Sequence, residues 1–270
     1  GGYAFYAHGV YAQSIYADFV QGDVNGVELL QFGVYRGIGL EDWYAMLNIG
    51  YHFPIVGACD YPACRKLGDC KTYVADGGGG SPTFPEWLQG AADGRSFVTT
   101  GPMLLLDVDR HRPGATVANS GRGPHRHKVT VRVASEVVPV TNLQLIVNGQ
   151  VVHDGAIDKD AAVGSWHTWT DSLELDGPAW IAARVYSTSP AGNPDAEAHT
   201  NPVYVELDGK RTYEPQALDR LLEKLDGQIA VHKNRDFSGK PEVLDYFERS
   251  RDILLKIREH GGLPTGKTPT

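Results

Sequence analysis

The densest reactive chemistry in the chain lies in residues 54–74, where Cys59, Asp60, Tyr61, Cys64, Arg65, Asp69 and Cys70 fall close together. A short apolar run, Pro54 to Val56, leads through Gly57 and delivers Asp60 just past its end. That pattern reads as a short buried strand with an acid at its carboxyl end, where α/β folds set their working residues. His8 stands in the same position after an aromatic-rich strand over residues 3–8. An imidazole and a carboxylate at the same end of one parallel sheet can converge on a divalent metal, and that donor pair suits zinc, manganese or iron. Glu28 lies within an apolar strand, where a carboxylate is costly unless paired or liganded, with Arg65 or a metal-bound water as its partner. Arg65 and Lys66 can also hold an anionic substrate or transition state. Each feature has a plainer reading beside it: a satisfied structural histidine, a solvated or capped glutamate, and a surface loop with buried thiols.

The elements that must position these residues follow from periodicity. Val27 to Phe32 carries aliphatics on both faces, as a strand covered on both sides does. A helix near Leu40 to Asn48 places Trp43, Met46 and Leu47 at i, i+3 and i+4, with Gly50 at its stop. Strand, connection, strand, helix, strand is the rhythm of βα units with a parallel sheet. Beyond a glycine run at 77–80, Thr83 and Glu86 form a capping box for a short helix with Pro85 in its first turn. A further strand runs from Arg95 to Gly101.

From residue 103 the pattern turns all-β, with short strands at Met103–Val108, Lys128–Ala134, Asn142–Val147, Ala179–Tyr186 and Pro202–Leu207. Asn148-Gly149 between two apolar runs predicts a type I′ hairpin. Strands at this spacing over about a hundred residues predict an immunoglobulin-like sandwich. After Asp208-Gly209 two amphipathic helices follow, the first marked by Leu218, Leu221, Leu222 and Leu225, the second running from about Pro241 to Glu259.

A net charge of −8 argues against a nucleic-acid or anionic-membrane partner, and no apolar run reaches the length of a membrane span. A small-molecule substrate is the expected partner. The 3 cysteines in the chain are confined to one short stretch, which is no framework for a disulfide-stapled domain, and their spacing misses the usual zinc pairs. Buried free thiols are expected. His125 and His127 form an H-x-H at the opening of a sandwich strand, and His199-Thr200-Asn201 reads as a turn before the last one. No nucleophile elbow, phosphate loop or dinucleotide fingerprint is present.

Several segments together resemble the CehA/McbA metallohydrolases of the PHP (polymerase and histidinol phosphatase) superfamily. They are Tyr-Ala-His-Gly at 6–9, Gly-Val-Glu-Leu-Leu-Gln-Phe at 26–32, Gly-Ala-Cys-Asp-Tyr-Pro-Ala-Cys-Arg at 57–65, Gly-Arg-Ser-Phe-Val-Thr-Thr-Gly-Pro at 94–102 and Ala-His-Thr-Asn-Pro-Val-Tyr-Val at 198–205. The resemblance implies a distorted β/α barrel whose strand ends hold divalent metals, with a metal-activated water cleaving an ester, carbamate or phosphoester. It matches His8 to the late barrel histidine that ligates metal and Asp60 to the aspartate of the family's Gly-Ser-Asp motif. The superfamily's ligating histidine two residues further on is Pro62 here, and only seven residues precede His8. The resemblance therefore implies the C-terminal part of a longer enzyme, with the N-terminal half of the same protein as its partner.

The resulting expectation is a fold of α/β plus all-β class. Residues 1–102 form the C-terminal part of a PHP-like distorted barrel, 103–210 an immunoglobulin-like β-sandwich, and 211–270 a helical C-terminal segment. The expected function is a metal-dependent hydrolase in which His8 and Asp60 ligate a divalent metal while Arg65, Tyr61 and Glu28 support the site or touch substrate. The rival is a non-catalytic module whose sandwich recognises glycan or protein, with the barrel remnant as scaffold.

Overall fold

The computed structural model describes residues 2–9, 14–31, 34–35, 37–62, 66–76, 80–136, 138–158, 161–188 and 196–263. Its first part runs β1 (Phe5–Tyr6), a 3-10 turn (Ala7–Gly9), α1 (Ile15–Gln21), β2 (Gly26–Gln31), β3 (Val34–Tyr35), α2 (Gly39–Asn48), β4 (Ile55–Ala58), β5 (Lys71–Val74), α3 (Phe84–Ala92) and β6 (Ser96–Thr99). Strands β1, β2 and β4 pair in parallel in that order, and β3 folds back antiparallel on β2. Every residue of β2 is buried, which is why Gly-Val-Glu-Leu-Leu-Gln reads as a strand covered on both faces. Phe32, the end of the expected strand, lies outside the described residues.

Gly57 lets a further strand approach β4. A Cβ there would lie 3.2 Å from Val98 Cβ and 3.3 Å from the Leu30 carbonyl oxygen, so any side chain at this crossing would press the two strands apart by a few tenths of an ångström. Asn201, wholly buried, joins the same two strands lower down: its Oδ1 accepts the Ile55 N–H and its Nδ2 donates to Ile55 O and Ser96 Oγ. Ile55 beside Ser96 and Gly57 beside Val98 make β4 and β6 run the same way.

The second part runs β7 (Met103–Val108), β8 (Thr116–Asn119), β9 (His125–Ala134), β10 (Asn142–Val147), β11 (Gln150–Ala156), β12 (His167–Leu175), β13 (Ala179–Tyr186), β14 (Glu197–Thr200) and β15 (Val203–Leu207). One sheet has the order β12-β9-β7; the other runs β11-β10-β13-β14-β6-β5, with β15 on β13 and β8 parallel to β15. The two sheets enclose a valine- and leucine-rich core that includes Val129, Val131, Val133, Leu104, Leu106, Leu143 and Ile181. Each such side chain stabilises the fold by about 1.5–3 kcal/mol when fully buried. β12-β9-β7 facing β11-β10-β13-β15 is the strand order of an immunoglobulin-like sandwich.

Three points differ from the sequence reading. His199-Thr200-Asn201 is no turn: His199 and Thr200 end the buried strand β14, with His199 opposite Arg184 on β13 and Val98 on β6. Through β14 the sheet runs continuously from the sandwich into β6 and β5, on both sides of residue 102. Strands β8 and β12 escaped notice because β8 has four residues and β12 is a largely exposed edge strand whose alternation, Trp169, Leu173 and Leu175, is interrupted by Asp171.

Helix α2 sits where the two parts meet. Its Trp43 is buried and donates Nε1–H to Phe53 O at 2.7 Å, while Asn48 Oδ1 accepts the indole N–H of Trp180 from β13 at 2.6 Å. Asn148 and Gly149 adopt φ of 49° and 80°, the left-handed pair that a type I′ hairpin requires. Helices α4 (Pro215–Lys233) and α5 (Lys240–His260) pack on each other and close the first core. α4 buries Leu218, Leu221, Leu222 and Leu225 on its i, i+3, i+4, i+7 face, so Leu221→Ala would cost about 2–5 kcal/mol. No helix among the described residues is long and apolar enough to cross a membrane.

Candidate functional site

The parallel pairing of β1, β2 and β4 sends their carboxyl ends to one edge, and His8 and Asp60 follow the two outer strands there. Both adopt a left-handed backbone, with φ of 64° at His8 and 53° at Asp60, which side-chain-bearing residues rarely hold unless their surroundings enforce it. At His8 the enforcing contact is visible: the Glu28 carboxylate accepts the His8 backbone N–H at 2.7 Å. Glu28 is 6% exposed, so the backbone N–H is its reason for tolerating burial in an apolar strand.

The ring of His8 is held from the other side by Gln31, at the end of β2. The Gln31 amide nitrogen touches His8 Nδ1, while Gln31 Oε1 is buried with no hydrogen-bond partner among the described residues. As placed, the amide donates to the Nδ1 lone pair; turned by half a rotation, Oε1 would accept the Nδ1–H proton and the amide nitrogen would take the unmatched position. In that arrangement Nε2 of His8 carries the lone pair, the tautomer that metal-ligating histidines adopt when a neighbour accepts their other ring proton.

The remaining sequence candidates are less connected. The Asp60 side chain makes no hydrogen bond or ion pair among the described residues, and Tyr61 is 62% exposed beside it. Arg65 and Cys64 lie outside the described residues. Cys59 and Cys70 are buried and in no disulfide among the described residues. The structure thus brings His8 and Glu28 together and leaves Asp60 and Tyr61 on the neighbouring strand end. Among the described residues no three His, Cys, Asp or Glu side chains converge as a metal would need.

A second polar cluster, which sequence reasoning missed, adjoins this edge. The β2–β3 hairpin sets Tyr35 opposite Leu30, next to Gln31. Tyr35 Oη donates to Glu197 Oε1 at 2.6 Å, and Arg184 Nε donates to the same oxygen at 2.6 Å. The Arg184 guanidinium also lies over the Tyr35 and Tyr186 rings, 5.3 and 5.1 Å from their centroids. Burial lifts the Glu197 carboxyl above the ordinary glutamate range, while Arg184 and then the Tyr35 hydroxyl pull it back down. Burial likewise pushes the Tyr35 phenol well up.

His199 completes this seam. Its Nδ1 donates to Thr200 O at 2.8 Å, so its Nε2 accepts from Tyr44 Oη at 2.7 Å. Complete burial lowers its pKa to about 3, and the ring is neutral. The H-x-H pair is equally committed on one side: His127 Nδ1 meets Asp109 Oδ2 at 2.7 Å and its Nε2 meets the Asn119 amide at 2.9 Å. Tyr35, Arg184 and Glu197 gave no sequence signal, because their partners are 13 or more positions away and meet only across strands.

No family model matches the chain, and no curated protein matches it. Solved structures similar to part of it include a CARDB domain from Pyrococcus furiosus in complex with di-metal ions, 15% identical over 40% of this chain and 96% of that one, TM-score 0.23. Fibronectin(III)-like modules of Clostridium thermocellum CbhA are 16% identical over 39% and 98%, TM-score 0.23. A superoxide reductase (neelaredoxin) from Ignicoccus hospitalis is 16% identical over 40% and 82%, TM-score 0.23. At these scores the sandwich rests on its own strand order.

Proposed function

We propose that this chain forms one wall of a metal-dependent hydrolase site, built on the C-terminal strands of a PHP-like distorted β/α barrel. His8 and Asp60 would ligate a divalent zinc, manganese or iron, and further donors would come from outside the described residues, the N-terminal half of the same protein included. The observation that carries this reading is the double restraint on His8, with Glu28 fixing its left-handed backbone and Gln31 fixing its ring. When bound, such an ion supplies Lewis-acid polarisation of an ester, carbamate or phosphoester and a water of lowered pKa. The chain's own residues would do the rest: Glu28 and Gln31 orient the imidazole, while Tyr61, and Arg65 by its place in the sequence, would contact a small-molecule substrate.

One observation favours a second reading, a non-catalytic module in which the sandwich binds glycan or protein: no three metal donors converge among the described residues. Elemental analysis of the purified chain beside His8→Ala and Asp60→Ala separates the two. Stoichiometric metal that falls in both variants supports the hydrolase wall. Metal absent after reconstitution with each of the three ions rejects a complete site on this chain alone and leaves either the N-terminal half as the source of the donors or the module.

A further inference from the structure

Away from that edge, two adjoining cavities of about 490 and 460 Å³ meet along Ala75, Asp76, Arg95, Arg112 and Pro113. Both volumes fall in the range of small-molecule sites, about 300–1,000 Å³. His52 and Pro54 precede β4 and Arg95 precedes β6, so the cleft lies at the amino-terminal ends of these strands, opposite the end that carries Asp60.

The two chambers differ in chemistry. One is apolar: Tyr73 and Phe97 stack with centroids 5.2 Å apart, and Met103 and Leu105, on the outward register of edge strand β7, form the facing side. Those two residues are only half-buried, although a sandwich strand of this register ordinarily turns polar side chains outward. The junction is cationic. In a chain of net charge −8, the cleft lining holds Arg95, Arg112, Arg132 and Arg211 against Asp76, Asp93 and Asp107.

Asp76, at the junction itself, pairs with no described residue and leaves Arg95 and Arg112 in excess there by one charge, while other charges of the lining are already engaged. Arg211 pairs with Glu206 at 3.1 Å, Arg132 lies over Trp166 at 5.0 Å, and the Asp107 carboxylate accepts the Arg110 N–H at 2.7 Å. Arg95 meets Asp93 only at 3.3 Å, and its buried Nε has no acceptor among the described residues. The Arg112 guanidinium makes no hydrogen bond or ion pair with any described residue. Its loop is nonetheless fixed. Gly114 holds φ +85°, and a Cβ there would sit 2.4 Å from the Asp93 carbonyl oxygen, so the Arg112 loop is pressed onto the turn before Arg95. Two under-used guanidiniums held at the mouth of an apolar chamber match a carboxylate on a hydrocarbon body.

We infer that this cleft binds a small amphipathic monoanion, with its carboxylate between Arg95 and Arg112 and its apolar body against Tyr73, Phe97, Met103 and Leu105. The site is independent of the proposed metal edge. Calorimetric titration of the full chain with decanoate tests it, with decanol as the uncharged probe and acetate as the head group alone. Decanoate is expected to bind saturably at one site, at least tenfold more tightly than either control. Arg112→Gln, a surface change that leaves the fold intact, is expected to weaken decanoate at least tenfold. Leu105→Glu is expected to abolish binding, and Arg249→Gln, on α5, to leave it unchanged. Decanol binding as tightly as decanoate, Arg112→Gln binding within twofold of the parent, or no saturable decanoate binding would each overturn the inference.

Discussion

Two polar clusters lie one hairpin apart, and they are finished to different degrees. In the seam between the parallel sheet and the sandwich, the Glu197 carboxylate has both Arg184 and Tyr35, and both nitrogens of His199 have partners. At the strand end, Gln31 keeps a buried oxygen unmatched as placed, His8 and Asp60 hold left-handed backbones, and the Asp60 carboxylate engages no described residue. A satisfied buried network fixes one arrangement of the elements around it. Retained strain and unmatched polar atoms at strand ends are what folds tolerate where a ligand is to be met. The seam therefore reads as structural, and the edge is where the proposed site would lie.

Glu197→Ala probes that division with the largest effect. It leaves the Arg184 guanidinium without its carboxylate and is expected to cost about 3 kcal/mol or more in chemical denaturation, whereas Glu197→Gln, which keeps an acceptor, costs less. Near-neutral behaviour of the alanine variant would mean that the seam is not a finished network.

The pH dependence comes next. His199 is lowered to about 3 in the fold, so the unfolded chain takes up a proton that the folded one refuses. Its stabilising contribution is complete above the ordinary histidine value and is lost as pH falls toward 3, at about 1.4 kcal/mol per pH unit. His52, stacked on Tyr204 at 3.6 Å and also lowered to about 3, adds a slope of the same sign, reduced by its partial exposure. Denaturation midpoints for the parent and His199→Gln between pH 6.5 and 5 should show a flatter profile in the variant.

At the edge, effects on stability are expected to be smaller and effects on binding larger. Glu28→Ala strips the acceptor from the His8 N–H and should cost about 1–3 kcal/mol, with Glu28→Gln recovering most of it. Gln31→Leu removes the unmatched amide and should change stability by less than about 1 kcal/mol, while reducing metal affinity tenfold or more if Gln31 orients His8. A loss of several kcal/mol on Gln31→Leu, measured by thermal melting, would make the edge structural too.

Local pattern carried a good part of the fold. The capping box at Thr83 and Glu86 forms as read, with Glu86 accepting the Thr83 N–H at 2.7 Å, and burial of β2 follows from aliphatics on both its faces. The Asn148-Gly149 hairpin and the leucine face of α4 were legible for the same reason: each depends on neighbours within a few residues. The candidate edge was legible only as residue types at strand ends, His8 and Asp60. What Glu28 does there was not, since its partner is a backbone N–H 20 residues away.

By itself, then, the sequence determined the longer apolar strands and the helices α2 to α5, the change from α/β to all-β pattern and the residues able to do chemistry at the strand ends. Tertiary structure alone decided that β14 is a buried strand, that it carries one sheet across from sandwich to β6, and that Tyr35, Arg184 and Glu197 form one cluster. The physical reason is that hydrogen-bond and charge partners are set by strand register across the sheet, whereas periodicity reports only which face of an element is apolar.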